Sequence, residues 1–405
     1  MRVGAIISLH WYFALGALGV FFPFYSLYLR ENAGLSGTEV GLVMAAMPAA
    51  AIIAQPLWGR IADRTGARTT ILTLVSVGAA VGYTTLGFVS GFVALLVGSA
   101  MTSMFASAVI PITVSVSFAL LGNNAAARFG RVRVWGTVGF LFTVVVFPLL
   151  LDLLTSPEAR ATAPPGVSQP RLGLMLPATA ACLVVAALIS AKMPRGGSES
   201  LRAARGDWRQ IMTHGPFVRL LLFMFGAYAC IQGPMALFPI YVRSLGGSVE
   251  MVSQMWVVML ILEIPLVWLA GTGFERLGGR GLLAVGLASG AVRWLVCGYG
   301  TNLQLIYAVQ ILHGVTVVGL IVGGPLYVDA VVPPELRSTA QGMLSMMGVS
   351  VGGIMSNLWS GMAVDAFGPA APAAIGGTGA LLLTLGLRWI VPRARRAGTE
   401  PAGID

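Results

Sequence analysis

Apolar stretches of about 20 residues recur along this chain from Ala5 to Val391, and charged residues fall mostly between them. Each stretch can cross roughly 30 Å of hydrocarbon as a helix. Inside a bilayer every backbone N–H and C=O must be satisfied within the protein. The period-2 alternation of a β-barrel is absent, which leaves helices as the spanning element. Only 10% of the residues are charged, against about 25% in a soluble domain. The chain therefore reads as an all-α polytopic membrane protein.

Breaks of charge, glycine and proline divide it into twelve spans: 5–29, 40–60, 70–90, 92–118, 132–154, 173–193, 217–241, 250–271, 281–299, 302–328, 338–361 and 368–391. The longest polar stretch, 194–214, separates an N-terminal six-helix half (1–193) from a C-terminal one (215–392), followed by a tail, 393–405. With both termini in the cytoplasm, 20 arginine and lysine residues fall on the inner side and four, Arg30, Arg160, Arg171 and Arg243, on the outer. That bias is the positive-inside pattern of a multi-pass protein of the cytoplasmic (inner) membrane. It also accounts for the pI of about 10.2 without nucleic acid, because such arginines meet anionic lipid headgroups. Lys192 is the one lysine and lies in Ala-Lys-Met-Pro, so no GxxxxGK[ST] phosphate loop exists. Cys182, Cys230 and Cys297 sit in apolar runs and read as small buried thiols rather than a disulfide framework. The first apolar run is too long for a cleaved signal and is expected to remain as a helix.

An internal repeat organises the halves. The segment 59–68 reads GRIADRTGAR and 271–280 reads GTGFERLGGR, so Gly59, Asp63, Arg64, Gly66 and Arg68 recur as Gly271, Glu275, Arg276, Gly278 and Arg280. Tyr28-Leu-Arg30 recurs as Tyr241-Val-Arg243, and Arg128 as Arg337, at nearly the same offset. Two related six-helix halves with a solute site between them mark secondary transporters.

The GRIADRTGAR segment resembles the loop 2–3 signature of the major facilitator superfamily, and the resemblance extends over the whole chain. FGRVRVWGTVGF (129–140) is similar to the start of helix five in the nucleoside:proton symporters, the phenylpropionate permease group and lactose permease. LEIPL (262–266), VRWLVCGYG (292–300) and RSTAQGM (337–343) look most like the nucleoside symporters, and QILHG (310–314) like the phenylpropionate group. The resemblance implies the major facilitator fold and a gating network of Gly59, Asp63, Arg64, Gly66, Arg68, Glu275, Arg276 and Arg280. In that network Asp63 would face a helix N-terminus, where the dipole favours an anion. Charges that merely cap a short loop are the alternative.

Three ionisable residues lie deep within spans, where charge is costly and functional by default. Glu263 is about 13 residues from the outer end of span eight, roughly 20 Å at 1.5 Å per residue; Arg293 is roughly 18 Å from the inner end of span nine. His313 is roughly 16 Å into span ten from the outer side. A carboxylate beside an arginine is charged and an isolated one neutral, so this group can exchange a proton when a solute disturbs it. A static ion pair is the alternative, although apolar replacements of such pairs are often no less stable. The resemblance adds that lactose permease also places Glu, Arg and His in helices eight, nine and ten. It carries a second Glu one turn after the His, where this chain has Thr316.

Arg128 and Arg131 precede the fifth apolar run as surface anchors, while Arg133 lies within it. Two residues turn a helix by about 200°, so Arg131 and Arg133 point opposite ways. Arg133 either snorkels or lines the cavity. In lactose permease the matching arginine binds sugar together with a helix-four carboxylate; here span four offers only Ser115 and Ser117. Gln232, Gln254, Gln310 and Asn357 are candidates to orient a polar solute, and Trp11, Tyr12, Tyr228 and Trp256 to stack on a ring, against ordinary helix packing. His10 is expected at the interface, and Asp329 and Asp365 as solvated charges at span ends.

Together these imply a proton-coupled symporter of nucleosides first, aromatic acids second and sugars third, acting as a monomer among membrane lipids with the proton as coupling ion and no other cofactor. Rivals are a proton-driven efflux antiporter of the same fold and a membrane solute sensor. An integral membrane enzyme is disfavoured: HExxH, GxSxG and a histidine cluster are absent, and three histidines are too few for an obvious metal site.

Overall fold

The computed structural model describes residues 3–122, 125–194, 208–273 and 277–393. The expected gating residues Glu275 and Arg276, most of the central loop and all but the first residue of the tail lie outside them. Eleven helices among the described residues are long and apolar enough to cross a membrane. We number the spanning helices α1 (Val3–Phe21), α2 (Gly37–Thr65), α3 (Arg68–Leu86), α4 (Phe92–Leu121), α5 (Ala125–Leu154) and α6 (Met175–Ala191). The second set is α7 (Gly215–Ser244), α8 (Val249–Gly273), α9 (Gly278–Tyr299), α10 (Leu303–Val331), α11 and α12 (Ala371–Ile390).

The expected span not among those eleven is the eleventh, α11, which is continuous but not uniform: α-helix over Arg337–Ser345, π-helix over Met346–Gly352 and α-helix again over Gly353–Phe367. Span ten also departs from a simple rod, being interrupted at Gln310–Ile311. The helical segment Trp208–Met212 falls inside the expected central loop, with Ile211 in an apolar cluster beside Phe217 and Leu220.

Local chemistry sets the helix ends. Ser36 caps α2 and Glu39 reaches back to the Ser36 N–H at 2.8 Å, a reciprocal capping box readable as S-x-x-E. Gly66 ends α2 at φ +66° and its repeat partner Gly278 opens α9 at φ +63°, a left-handed backbone that suits glycine. The second repeat pair behaves alike: Arg30 donates to Leu35 O at 2.9 Å, and Arg243 donates to Gly247 O.

The chain packs as two compact units. The first comprises 1–201 with 235–257 and 357–369; the second comprises 202–234, 258–356 and 370–405. Lipid offers no hydrophobic drive between helices, so small residues and polar contacts hold them. In the second unit, a Cβ on Gly286 of α9 would lie 2.7 Å from Gly319 Cα of α10, so only glycine permits this backbone approach.

In the first unit, the loop-side ends of helices from both sequence halves are tied together. Glu31 accepts from Arg243 Nε at 3.1 Å and from Ser168 N at 2.9 Å. Asn357 of α11 donates to Met44 O of α2 at 3.2 Å. Asp365, expected to be merely solvated, instead accepts from Gly37 N, Thr38 N and Thr38 Oγ1, each at 2.7 Å. The reason is geometric: those N–H groups open α2 and have no intrahelical acceptor. Asp329 is an exposed charge, 3.9 Å from Arg337.

Candidate functional site

The second unit holds the deep charges. Arg293 of α9 is 2% exposed. Its Nε donates to Gln310 Oε1 at 2.8 Å, Nη1 meets His313 Nδ1 at 3.0 Å, and Nη2 donates to Met259 Sδ at 3.6 Å. Its Cζ lies 4.2 Å from the centroid of the Trp294 ring, within cation–π range.

The interruption of α10 creates this arrangement. Gln310 N bonds to Tyr307 O and His313 N to Gln310 O, so the backbone tightens to three-residue bonds. Ile306 O receives Gln310 Nε2 instead, at 2.6 Å. With Nε2 committed to that carbonyl and close to Cys297 Sγ at 3.5 Å, Oε1 must face the arginine. Leu312 O accepts from Ser289 Oγ of α9 at 3.0 Å. Irregular backbone at membrane depth is thus satisfied by side chains around the site.

Glu263 is half-buried on α8. A Cβ on Gly314 would lie 2.6 Å from Glu263 N and 2.9 Å from its Cα, so α8 and α10 touch backbone to backbone beside His313. The structure therefore brings Arg293 and His313 into direct contact and places the Glu263 backbone one residue from the histidine. Arginine has donors only, so Nδ1 of His313 must present its lone pair to Nη1 and the ring proton resides on Nε2. Protonating Nδ1 is incompatible with that hydrogen bond.

The first unit holds a second cluster. Arg133 is half-buried, with Cζ 4.7 Å from the Trp11 ring centroid and Nη1 3.4 Å from Thr137 Oγ1, whereas Arg128 and Arg131 are exposed on α5. Trp11 donates Nε1–H to Ser117 Oγ at 3.1 Å. An aromatic face from Trp11 and a hydroxyl from Thr137 thus lie against Arg133. His10 is fully buried, not interfacial: Nδ1 lies 3.0 Å from Ala186 O and Nε2 3.0 Å from Thr113 Oγ1. The tight packing of α1 against α4 and α6 encloses it.

The remaining candidates disperse. Gln310 is engaged by Arg293 and its own helix, and Asn357 binds Met44 O while its buried Oδ1 has no hydrogen-bond partner among the described residues. Trp256 is buried between Phe22 and Phe140, and its Nε1 also has no partner among the described residues. Gln254 is exposed; Gln232, Tyr12 and Tyr228 are half-buried, Gln232 beside Gly353 and Tyr228 beside Gly348. Asp63 pairs with Arg68, the first residue of α3, at 3.1 Å; Arg64 is exposed and a Cβ on Gly59 would meet nothing within 4 Å. Arg280 lines a cleft described below. Sequence reasoning did not find Met259, Trp294 or the break in α10. Neither glycine nor proline marks the Gln310–Ile311 break, so no local signal announced it.

The model of the MFS_1 like family matches residues 5–372. The maltose permease of Geobacillus stearothermophilus is 27% identical over 402 residues, spanning 98% of this chain and 96% of that protein. A probable 3-phenylpropionic acid transporter of Escherichia coli (strain K12) is 26% identical, over 73% of this chain and 74% of its own. Among solved structures, a mutant form of the nucleoside transporter NupG superposes with TM-score 0.84 at 16% identity, covering 96% of this chain and 100% of that one.

Proposed function

Because the chain belongs to the MFS_1 like family of the major facilitator superfamily, and is thereby a multi-pass secondary transporter of small solutes, we propose that it couples solute movement to protons as a symporter. The observation that carries this reading is the contact of Arg293 with His313 at the break in α10, beside Glu263. A permanently charged guanidinium held against an imidazole lone pair makes the protonation of the pair sensitive to any movement of α9 or α10. Glu263 is the proposed proton carrier, with His313 its partner and Arg293 the charge that sets their balance. The coupling ion is the proton, and no further cofactor is required.

Arg133, held over the buried Trp11 ring, is the proposed solute contact, a guanidinium for hydroxyl or carboxylate groups. Nucleosides and sugars head the solute panel. The likeness to a maltose permease over nearly the whole chain supports testing sugars beside the nucleosides. The Asp365 and Arg243 contacts support a gate that closes on the side of the 33–36 loop. The proposed setting is the cytoplasmic membrane, as a monomer with both termini inside.

The test is external pH in lightly buffered, de-energised cells expressing the protein, on adding maltose, a nucleoside or 3-phenylpropionate. Alkalinisation with one solute, absent in Glu263→Gln, is expected. No change with any solute, alongside uptake of a labelled solute, would remove proton symport. Solute-driven acidification would instead identify exchange.

A further inference from the structure

We propose that the cleft at the start of α9 and the ends of α10 and α12 binds the phosphate-bearing headgroup of an anionic phospholipid. The cleft encloses about 950 Å³ within the second unit, in the range of small-molecule sites (about 300–1,000 Å³). Three arginines line it, Arg280, Arg388 and Arg393, and no carboxylate does among the described residues. Arginine is the side chain best suited to bidentate contact with phosphate oxygens.

The cleft is built to keep these groups in place. Tyr327 Oη donates to Pro392 O at 2.8 Å, pinning the backbone immediately before Arg393 to α10. Arg388 Cζ rests 4.0 Å from the centroid of the Trp389 ring. The same rim is apolar and not covered by the described residues: Leu385 is 62% exposed and Trp389 66%. A ligand that pairs with arginine at one end and covers leucine and tryptophan at the other is amphipathic. This distinguishes a lipid from free phosphate. Tryptophan and arginine at a helix end also match the headgroup level of a bilayer.

The experiment is native mass spectrometry of the purified full chain titrated with dioleoylphosphatidylglycerol, dioleoylphosphatidylcholine or inorganic phosphate. The phosphatidylglycerol adduct is expected to persist against excess phosphate and to exceed the phosphatidylcholine adduct. Each arginine near a charged surface is worth about fivefold, so Arg388→Gln with Arg393→Gln should weaken binding about thirtyfold. Arg388→Lys with Arg393→Lys should retain most of it, which separates lost charge from lost fold. Arg60→Gln with Arg131→Gln, exposed elsewhere, should leave it unchanged. Equal loss in both glutamine pairs, no loss in either, or displacement by millimolar phosphate would each overturn the assignment.

Discussion

Replacing Asp365 by alanine removes three hydrogen bonds from the first turn of α2, two to backbone N–H and one to the Thr38 hydroxyl, each 2.7 Å long. Losing a side-chain cap costs about 1 kcal/mol and losing a charge at a helix N-terminus about 0.3–1 kcal/mol. The site is exposed, so the lower part of that sum applies, about 1–1.5 kcal/mol. This corresponds to a factor of about 5–12 in the opening equilibrium of the α2 N-terminus. Hydrogen exchange of a peptide covering residues 37–44 should accelerate by that factor in Asp365→Ala, with the α9–α10 peptides unchanged. Burial alone would raise the Asp365 pKa, but the Thr38 hydroxyl, the Thr38 and Gly37 N–H groups and the Arg30 charge together lower it. A depressed carboxylate pKa adds stability that is complete above its ordinary value and is lost as pH falls through the folded one. Wild-type exchange, corrected for intrinsic rate, should therefore approach that of the variant only in strong acid, while the variant stays flat. Unchanged exchange in Asp365→Ala would refute the view that this carboxylate holds the helix end.

Other perturbations address the deep site. Gln310→Leu strands Ile306 O and Arg293 Nε, and at about 1–3 kcal/mol for each buried unsatisfied group it should lower the melting temperature in detergent measurably. His313→Gln, which cannot take up a proton, is expected to keep solute binding by isothermal titration but to lose the pH dependence of that binding. Gly314→Val would force a side chain into the Glu263 backbone and should abolish folded protein, whereas Gly59→Ala, with open space around it, should be tolerated in thermal melts. Trp11→Leu removes the ring beneath Arg133, worth about 1 kcal/mol, and should raise the transport KM about fivefold, with Trp11→Phe largely retaining it.

Much of the fold was written in local patterns. Apolar run length fixes where helices cross, because a bilayer offers no other partner for the backbone. The Gly66 and Gly278 turns and the Ser36–Glu39 capping box depend on residues only a few positions apart, so the repeat and the helix ends were legible. Glu263, Arg293 and His313 stood out because a charge in an apolar run is conspicuous at any resolution of the sequence. Their partners did not. Whether Gln310 meets a solute or an arginine depends on which face of α10 turns toward α9, and the unmarked break at Gln310–Ile311 sets that face. His10 and Asp365 were misplaced for the same reason: proximity to a span end suggests water, but neighbouring helices brought Ala186 O and Thr113 to the first and the free N–H groups of α2 to the second. The sequence by itself determined the all-helical, membrane-spanning class and the residues whose charge is costly there, because those follow from transfer of groups into hydrocarbon. Only the tertiary structure decided which of those residues touch, because pairing rests on helix rotation and close glycine contacts between segments far apart in the chain.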